Sequence, residues 1–273
     1  MPQDSSLHFY RKNGYIVVNG IFTNQDLLSA HEALEELRDT SASRSNIVRW
    51  GAAGKPVFIK VPQVFQKDER FLNMARHPLL IAEVEKFIGE TSIFRDVVVE
   101  KPAQDGSVVF PHQDCAYWDI EKPENALSAW IALDDVESHS GGLQVVPGSQ
   151  RQIAIHHLYL GKLRLPLFVT RLLRRSVSLS GTGDSPRDPV QRFFQYLKKL
   201  ILGSATKFFP TLNTLGELQI DLKDYPNWAA AVMLTLKAGD VILFDSRLCH
   251  LSGLNTSTNV RRAYIVSYVG KGL

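Results

Sequence analysis

Three side chains that could share one metal ion lie in two separate stretches of the sequence. His112 and Asp114 are two residues apart, on or just after a β-rich run, and His250 follows a second such run at 241–245. Residues two apart on a strand share a face, so an imidazole and a carboxylate can reach one ion. Two histidines and one carboxylate leave positions open on Fe(II) for oxygen and a chelating co-substrate. A His-x-Asp pair alone is weak evidence, because it also occurs for structural reasons.

An arginine strengthens the case for a metal site. Arg261 comes eleven residues after His250, at the head of the last β-rich run. A guanidinium binds a carboxylate through two parallel hydrogen bonds, and a keto acid that chelates iron needs a fixed cation for its distal carboxylate. Ser252 can add a hydroxyl to the same carboxylate. Arg262 would point to the opposite face of the strand, which predicts a surface charge.

The first ninety residues predict helices that support a sheet. A short strand over 14–18 precedes Thr23 and Asp26, which are spaced as a capping box at the start of a helix. A second amphipathic helix is predicted from about Pro78 to Phe87, with Gly89 as its C-cap.

From about residue 93 the pattern changes to short β-rich runs. Turn signals separate these runs at 140–142, 147–148 and 238–240. Many short strands with such turns predict a sandwich or barrel, so the expected class is mainly β with flanking helices.

Composition restricts the class of protein. A net charge of +3 over 273 residues gives no nucleic-acid signature, and no apolar window is long enough to span a membrane. The opening residues lack a secretory signal, and two cysteines are too few for a disulfide framework, so a cytoplasmic location is expected. Cys115 and Cys249 each adjoin a candidate ligand; on strands they would point away from the metal and pack in the core.

A basic insertion separates the two chemically informative stretches. Residues 161–210 carry ten Lys or Arg against two Asp, a local excess of eight positive charges. Within it, 190–201 has the apolar periodicity of an amphipathic helix, and 178–189 is rich in turn residues. A lid or substrate wall is one interpretation of this helix. A helix packed on the barrel, or a homodimer contact, is the other.

These motifs together resemble one enzyme family. The resemblance is carried by runs along nearly the whole chain: FYRKNGYIVV, PHQD, SAWIALDDV, SGGLQVVPGS, KAGDVILFDSRLCHLSGLN and RRAYIVSY. They resemble the phytanoyl-CoA dioxygenase family of Fe(II)/2-oxoglutarate oxygenases. The resemblance implies a double-stranded β-helix, the jelly-roll core also found in cupins, with iron at the mouth of the barrel.

The resemblance also implies roles for individual residues. His112, Asp114 and His250 match the metal ligands of the family, and Arg261 and Ser252 match its contacts to the 2-oxoglutarate carboxylate. Trp130 matches a position that lines the co-substrate site, although packing in the barrel core is its alternative role.

One position departs from the family pattern. Gln150 follows Pro-Gly-Ser where the family has histidine, which bears on the substrate or the turn rather than on iron. Asp114 is retained, whereas related halogenating enzymes have a small residue there, so oxygenation is expected.

Four further candidates have alternatives. Lys101 can reach the co-substrate or cap a strand, and Tyr117 and Trp118 can line a pocket or pack in the core. His156 and His157 can touch substrate, lie on the surface, or be hydrogen-bonded in the core.

The resulting expectation is a single dioxygenase domain over 1–273. Helical support occupies 1–90, the jelly-roll core 93–150 and 231–269, and a lid or substrate insertion 151–230. The expected reaction uses Fe(II), 2-oxoglutarate and O2 to oxidise, most simply to hydroxylate, an unactivated carbon of a hydrophobic small molecule, a lipid-like acid or a specialised metabolite, releasing succinate and CO2. The alternatives are a cupin-type metalloenzyme that does not use 2-oxoglutarate, and a jelly-roll binding or sensing module.

Overall fold

The computed structural model describes residues 5–39, 48–50, 58–104, 108–118, 120–152, 156–160, 163–166, 218–220 and 228–271. The chain divides into two compact units, Met1–Ile153 with Pro226–Leu273, and Ala154–Tyr225. The helix expected at 190–201 and the turn-rich segment 178–189 lie outside the described residues. The single-domain organisation and the lid at 151–230 therefore stay predictions.

Four α-helices lie within the described part of the first unit: α1 (Ser5–Asn13), α2 (Asn24–Asp39), α3 (Glu69–Ala75) and α4 (Pro78–Ile88). The predicted capping box is present before α2, since the Thr23 amide donates to Asp26 Oδ2 at 2.8 Å and the Asp26 amide to Thr23 Oγ1 at 3.3 Å. Gly89 ends α4 with a φ of 71°, which a residue without Cβ adopts freely.

The described strands follow the β-rich runs of the sequence. In chain order they are β1 (Tyr15–Val18), β2 (Val48–Trp50), β3 (Phe58–Pro62), β4 (Thr91–Lys101), β5 (Val109–His112), β6 (Ala126–Ala132), β7 (Leu143–Val145), β8 (His156–Leu160), β9 (Leu163–Pro166), β10 (Leu218–Ile220), β11 (Val232–Met233), β12 (Val241–Asp245), β13 (His250–Ser252) and β14 (Arg261–Gly270).

Two antiparallel sheets form the first unit. The larger has the order β1-β12-β6-β14-β4-β3-β2, and the smaller has the order β11-β7-β13-β5. In the second unit β10, β8 and β9 form a three-stranded sheet of their own. Non-consecutive neighbours in both sheets of the first unit show that the chain alternates between them, as in a jelly roll. The mainly β class with flanking helices is confirmed.

The strand β6 of the larger sheet is buried on both faces. On β6, Leu127, Ala129 and Ile131 belong to a core shared with the helices, whereas Trp130 and Ala132 belong to a core shared with the smaller sheet. A strand covered on both faces is apolar at every position, which accounts for the run ALSAWIA. The face toward the smaller sheet is called the inner face below.

Two tyrosine hydroxyl groups bind the helix α3 to the face of β14 opposite the inner face, called the outer face below. The Tyr264 hydroxyl donates to the Phe71 carbonyl at 3.1 Å, and the Tyr268 hydroxyl donates to the Ala75 carbonyl at 2.7 Å. Both tyrosines are fully buried, so these bonds satisfy groups that water cannot reach. They fix α3 against the sheet.

Among the described helices, none is both long enough and apolar enough to cross a membrane.

Candidate metal and co-substrate site

The predicted metal ligands meet where the smaller sheet ends. His112 is the last residue of β5 and lies directly opposite His250, the first residue of β13. Asp114 opens a 3-10 turn, Asp114–Tyr117, immediately after β5. Backbone pairing therefore sets the two imidazoles side by side, with ring centroids 4.2 Å apart, and the turn brings the carboxylate to them.

The distances among these side chains suit a metal ion. Asp114 Oδ1 lies 3.6 Å from His112 Nε2 and 3.7 Å from His250 Nε2, and the ligand atoms of all three residues lie within 4.8 Å of one another. Separations of 3.6 Å and 3.7 Å are too long for good hydrogen bonds. Two ligand atoms that are each about 2.1 Å from one ion can be up to about 4.2 Å apart, so one ion can bridge these pairs.

Both imidazoles are oriented by the backbone two residues before them. His112 Nδ1 lies 2.8 Å from the Phe110 carbonyl oxygen, and His250 Nδ1 lies 2.9 Å from the Leu248 carbonyl oxygen. A carbonyl only accepts, so each Nδ1 carries the proton and each Nε2 keeps a free lone pair. Such bonds fix the tautomer that a metal ligand needs.

A β-bulge supplies one of those carbonyls. His250 pairs with His112, but Ser252 pairs with Val109, so β5 has one residue more than β13 between these pairs. The extra length falls at Phe110 and Pro111 and re-aims the end of the strand.

A hydroxyl fixes the second oxygen of the carboxylate. Ser128, on the inner face of β6, donates to Asp114 Oδ2 at 2.7 Å, and its oxygen lies 3.2 Å from that of Ser267 on β14. Asp114 Oδ1 is thereby left pointing at the histidines. Ser128 was not predicted from the sequence, although its position two residues before Trp130 on one strand places both side chains on the same face.

The protonation states match those of a donor set. Burial on its own would raise the pKa of the Asp114 carboxyl, but the His112 and His250 imidazoles and the Ser128 hydroxyl outweigh it and hold that pKa well below its ordinary value. Burial, together with the neighbouring His112, lowers the pKa of His250 to about 4. Near neutral pH the site holds a charged carboxylate and a neutral His250, as metal ligation requires.

Arg261 is a buried cation on the inner face of β14. Only 2% of its surface is exposed; its Nη2 donates to the Gly141 carbonyl at 2.9 Å, and its guanidinium carbon lies 5.4 Å from the centre of the Trp130 ring. Burial lowers its pKa to about 10, which still leaves it charged at neutral pH. In the described part of the chain, no carboxylate lies within ion-pair distance of Arg261, and a buried cation without a counterion favours an anionic ligand.

Ser252 and Trp130 share the interior with Arg261. Ser252 is buried and pairs with Leu143 of β7, which belongs to the core between the two sheets. Trp130 is 3% exposed and belongs to the inner core, so it packs and also stacks near the guanidinium.

The expectation for Arg262 was only partly right. It does lie on the face opposite Arg261, but it is not a simple surface charge. It is 3.2 Å from Asp134 and 3.5 Å from Glu100, with about a fifth of its side chain exposed, because α2 and its neighbours cover that face.

One aromatic side chain contacts a candidate metal ligand, and three more belong to neighbouring segments. Tyr117 meets the His112 ring edge to face at 5.4 Å, and Phe94 meets Trp118 in the same way at 5.6 Å. Phe94 and Phe110 are 43% and 44% exposed, whereas Trp118 is buried. These four residues are called the aromatic edge below. The two histidines at 156–157 lie on β8, and their side chains are outside the described residues.

The cysteines and Gln150 are buried, as expected for residues with a structural role. Cys115 and Cys249 are buried thiols that form no disulfide, and burial raises the pKa of the Cys249 thiol to about 12. Gln150 is buried, and its side-chain amide donates to the Arg11 carbonyl at 3.1 Å, so this departure from the family pattern holds α1 to the turn.

The sequence is similar to known proteins along most of its length. The family model described as phytanoyl-CoA dioxygenase (PhyH) matches residues 10–263. Peroxisomal phytanoyl-CoA dioxygenase of Homo sapiens is 23% identical over 272 residues, which cover 93% of this chain and 64% of the human protein. The ectoine dioxygenase of Bordetella parapertussis is 24% identical over 256 residues, covering 91% of this chain and 69% of that protein. The chain thus spans somewhat less than two thirds of the length of the human relative.

The fold is shared with solved oxygenase structures. The non-haem α-ketoglutarate-dependent carbocyclase SnoK from nogalamycin biosynthesis superposes with a TM-score of 0.66 at 20% identity, covering 98% of this chain and 84% of SnoK. The expected jelly-roll core is confirmed by this likeness.

Proposed function

Because this chain belongs to the phytanoyl-CoA dioxygenase family, we propose that it is an Fe(II)- and 2-oxoglutarate-dependent dioxygenase that acts on a small molecule. The observation that carries the proposal is the convergence of His112, Asp114 and His250 in a structure that also holds a buried arginine without a carboxylate partner among the described residues. Metal ligands alone would equally suit a cupin-type enzyme. The buried cation favours an anionic co-substrate.

In this proposal His112 Nε2, His250 Nε2 and Asp114 Oδ1 hold Fe(II). The donor set fits the ion. Each imidazole presents the lone pair of its Nε2, and Ser128 bonds Asp114 Oδ2, which leaves Oδ1 for the metal. Three protein ligands leave other positions of the metal open. All three residues are fixed by bonds to the rest of the fold, which favours geometric precision.

Arg261 would bind the distal carboxylate of 2-oxoglutarate, with Ser252 adding its hydroxyl and Trp130 lining the same space. The guanidinium is desolvated and stays charged, so its attraction for a carboxylate exceeds that of an exposed arginine. Bound iron, 2-oxoglutarate and O2 would supply the oxidising chemistry that gives succinate, CO2 and an oxidised, most simply hydroxylated, substrate carbon. The protein residues bind, orient and exclude water.

The aromatic edge supports an apolar substrate. Phe94 and Phe110 are large hydrophobic side chains with more than two fifths of their surface exposed, and Tyr117 touches a proposed ligand. Exposed aromatic groups beside a reactive centre are typical of a wall that packs against substrate. We therefore infer a hydrophobic small molecule, in line with the expectation from the sequence.

Anaerobic absorption spectroscopy tests the cofactor assignment. Fe(II) and then 2-oxoglutarate are titrated into the wild type, His112→Ala and Arg261→Met. A visible charge-transfer band should form with the wild type and be absent from His112→Ala. In Arg261→Met the same band should need at least about ten-fold more 2-oxoglutarate, the loss expected for a charge-assisted hydrogen bond.

Two matched variants serve as controls. His139→Ala removes a half-exposed histidine, and Arg262→Met removes the arginine of the opposite face; both should titrate like the wild type. A folded wild type that gives no band would contradict the proposal.

A further inference from the structure

A second cation lies beside Arg261 inside the barrel. Lys101 is the last residue of β4 and pairs directly with Arg261 of β14, so the two side chains leave the sheet on the same face. Lys101 is 0% exposed and Arg261 is 2% exposed. Lysine is almost never fully buried without strong polar partners, so this position calls for an explanation.

The partners of Lys101 belong to the segment that follows the second histidine. Its ammonium donates to the Ser252 carbonyl at 3.2 Å and to the Gly253 carbonyl. Those two peptides come directly after β13, which begins at His250. The lysine thus joins the end of β4 in the larger sheet to the end of β13 in the smaller one.

Arg261 is held by carbonyls of the facing turn. Its guanidinium donates to Gly141 and, at 3.5 Å, to Ser140. The Gly141 backbone lies close to the Lys101 site, because a Cβ built on Gly141 would be 2.8 Å from the Gly253 oxygen and 3.0 Å from Lys101 Cδ. Gly141 also has a φ of 71°, so a side chain is excluded there on two grounds.

We propose that Lys101 is a positioning residue for the co-substrate: it fixes the Ser252–Gly253 peptide beside Arg261, so that the serine and the arginine are in place before a distal carboxylate arrives. The inference rests on the proposed function. An ammonium that bonds the carbonyl of Ser252 restrains that residue more tightly than a neutral donor would. Binding then needs little reorganisation of the site, which favours affinity.

The test separates the two ends of the keto acid. Fe(II)-loaded wild type and Lys101→Met are titrated anaerobically with 2-oxoglutarate and with 2-oxobutanoate, which chelates in the same way but lacks the distal carboxylate. Lys101→Met should bind 2-oxoglutarate about ten-fold more weakly or worse, and should bind 2-oxobutanoate and Fe(II) as the wild type does. Thermal unfolding is recorded for each variant.

Lys67→Met is the matched control. Lys67 also donates its ammonium to a backbone carbonyl, that of Pro62 at 2.7 Å, but it lies in the turn after β3. It should change neither titration. If Lys101→Met does not fold, Lys101→Gln, which keeps a donor but no charge, takes its place.

The outcomes distinguish the inference from the proposed function. A wild type that binds neither keto acid overturns both. A wild type that binds 2-oxoglutarate, with a Lys101 variant that binds it equally well or loses both keto acids to the same extent, overturns the inference alone.

Discussion

The two carboxylate oxygens of Asp114 have different partners, and this difference matters for a metal site. Oδ2 accepts a hydrogen bond from Ser128, while Oδ1 faces both histidines. A carboxylate held in this way keeps its plane fixed and offers one oxygen to the ion. Partners of metal ligands commonly change metal affinity by about ten-fold to a hundred-fold when they are removed.

Ser128→Ala is therefore expected to weaken Fe(II) binding by at least about ten-fold without unfolding the protein. The measurement is a competition titration of Fe(II) against a chromophoric chelator. Ser267→Ala is the control, because the partner of its hydroxyl is the Ser128 hydroxyl. Equal affinities for the wild type and Ser128→Ala would show that the hydrogen bond does not orient the ligand.

At the scale of elements, Asp96 connects three parts of the fold on the outer face of the larger sheet. Its Oδ2 accepts the Phe65 amide at 2.8 Å and the Tyr264 hydroxyl at 3.0 Å, joining β4 to a 3-10 turn and to β14. Its Oδ1 is buried and has no hydrogen-bond partner within the part of the chain that the structure describes. Burial raises the pKa of this carboxyl to about 6, and the hydrogen bonds only partly oppose that effect.

This raised pKa predicts a stability that falls as pH rises. The folded state holds the Asp96 proton up to about pH 6, whereas the unfolded chain releases it near pH 4, so the contribution of Asp96 is complete below about pH 4 and is lost as pH rises through about 6. Between these two pH values, the free energy of unfolding of Asp96→Asn should rise relative to that of the wild type by up to about 3 kcal/mol, at about 1.4 kcal/mol per pKa unit. Urea unfolding of both proteins across this range measures the difference.

Asp26→Asn gives a control of opposite sign. The Thr23 hydroxyl and amide lower the pKa of Asp26, so its stabilising contribution is present above its ordinary pKa and lost as pH falls. The free energy of unfolding of the wild type should rise relative to that of Asp26→Asn as pH rises towards about 4, the ordinary pKa of an aspartate. A difference in unfolding free energy between the wild type and Asp96→Asn that does not change with pH would contradict a raised pKa of Asp96.

For the whole molecule, the proposed ligands link two neighbouring strands of the smaller sheet and the turn after one of them, so metal binding should stabilise the fold. An ion that binds only the folded state at about a hundred times its dissociation constant adds about 2.7 kcal/mol. We expect Mn²⁺ with 2-oxoglutarate to raise the unfolding temperature of the wild type and a chelator to reverse the rise. His250→Ala should show no shift, whereas His139→Ala should respond fully; a shift in His250→Ala would place the binding elsewhere.

Much of the fold was predictable because its signals are local. The capping box at Thr23, the Gly89 cap and the alternation of strands and turns each depend on a few neighbouring residues. The proposed metal ligands and Arg261 lie on or beside such strands and could be identified in the same way. The family motifs added the jelly-roll topology.

The supports of the site were not predictable, because they depend on contacts between distant segments. Ser128 reaches Asp114 only through the packing of β6, and Lys101 reaches Ser252 across 151 positions of sequence. The bulge before His112 depends on the register of β5 against β13. The spacing of residues within one segment does not predict contacts between segments that are far apart in the sequence.

The strand β14 serves two layers of the molecule with alternate residues. Arg261, Ala263 and Ser267 face the interior of the barrel, while Tyr264 and Tyr268 hold the helices. On the proposed function, a mutational scan along this strand should therefore separate into two interleaved classes. Changes at Arg261 should weaken co-substrate binding in a folded protein, whereas changes at Tyr264 and Tyr268 should destabilise the fold itself.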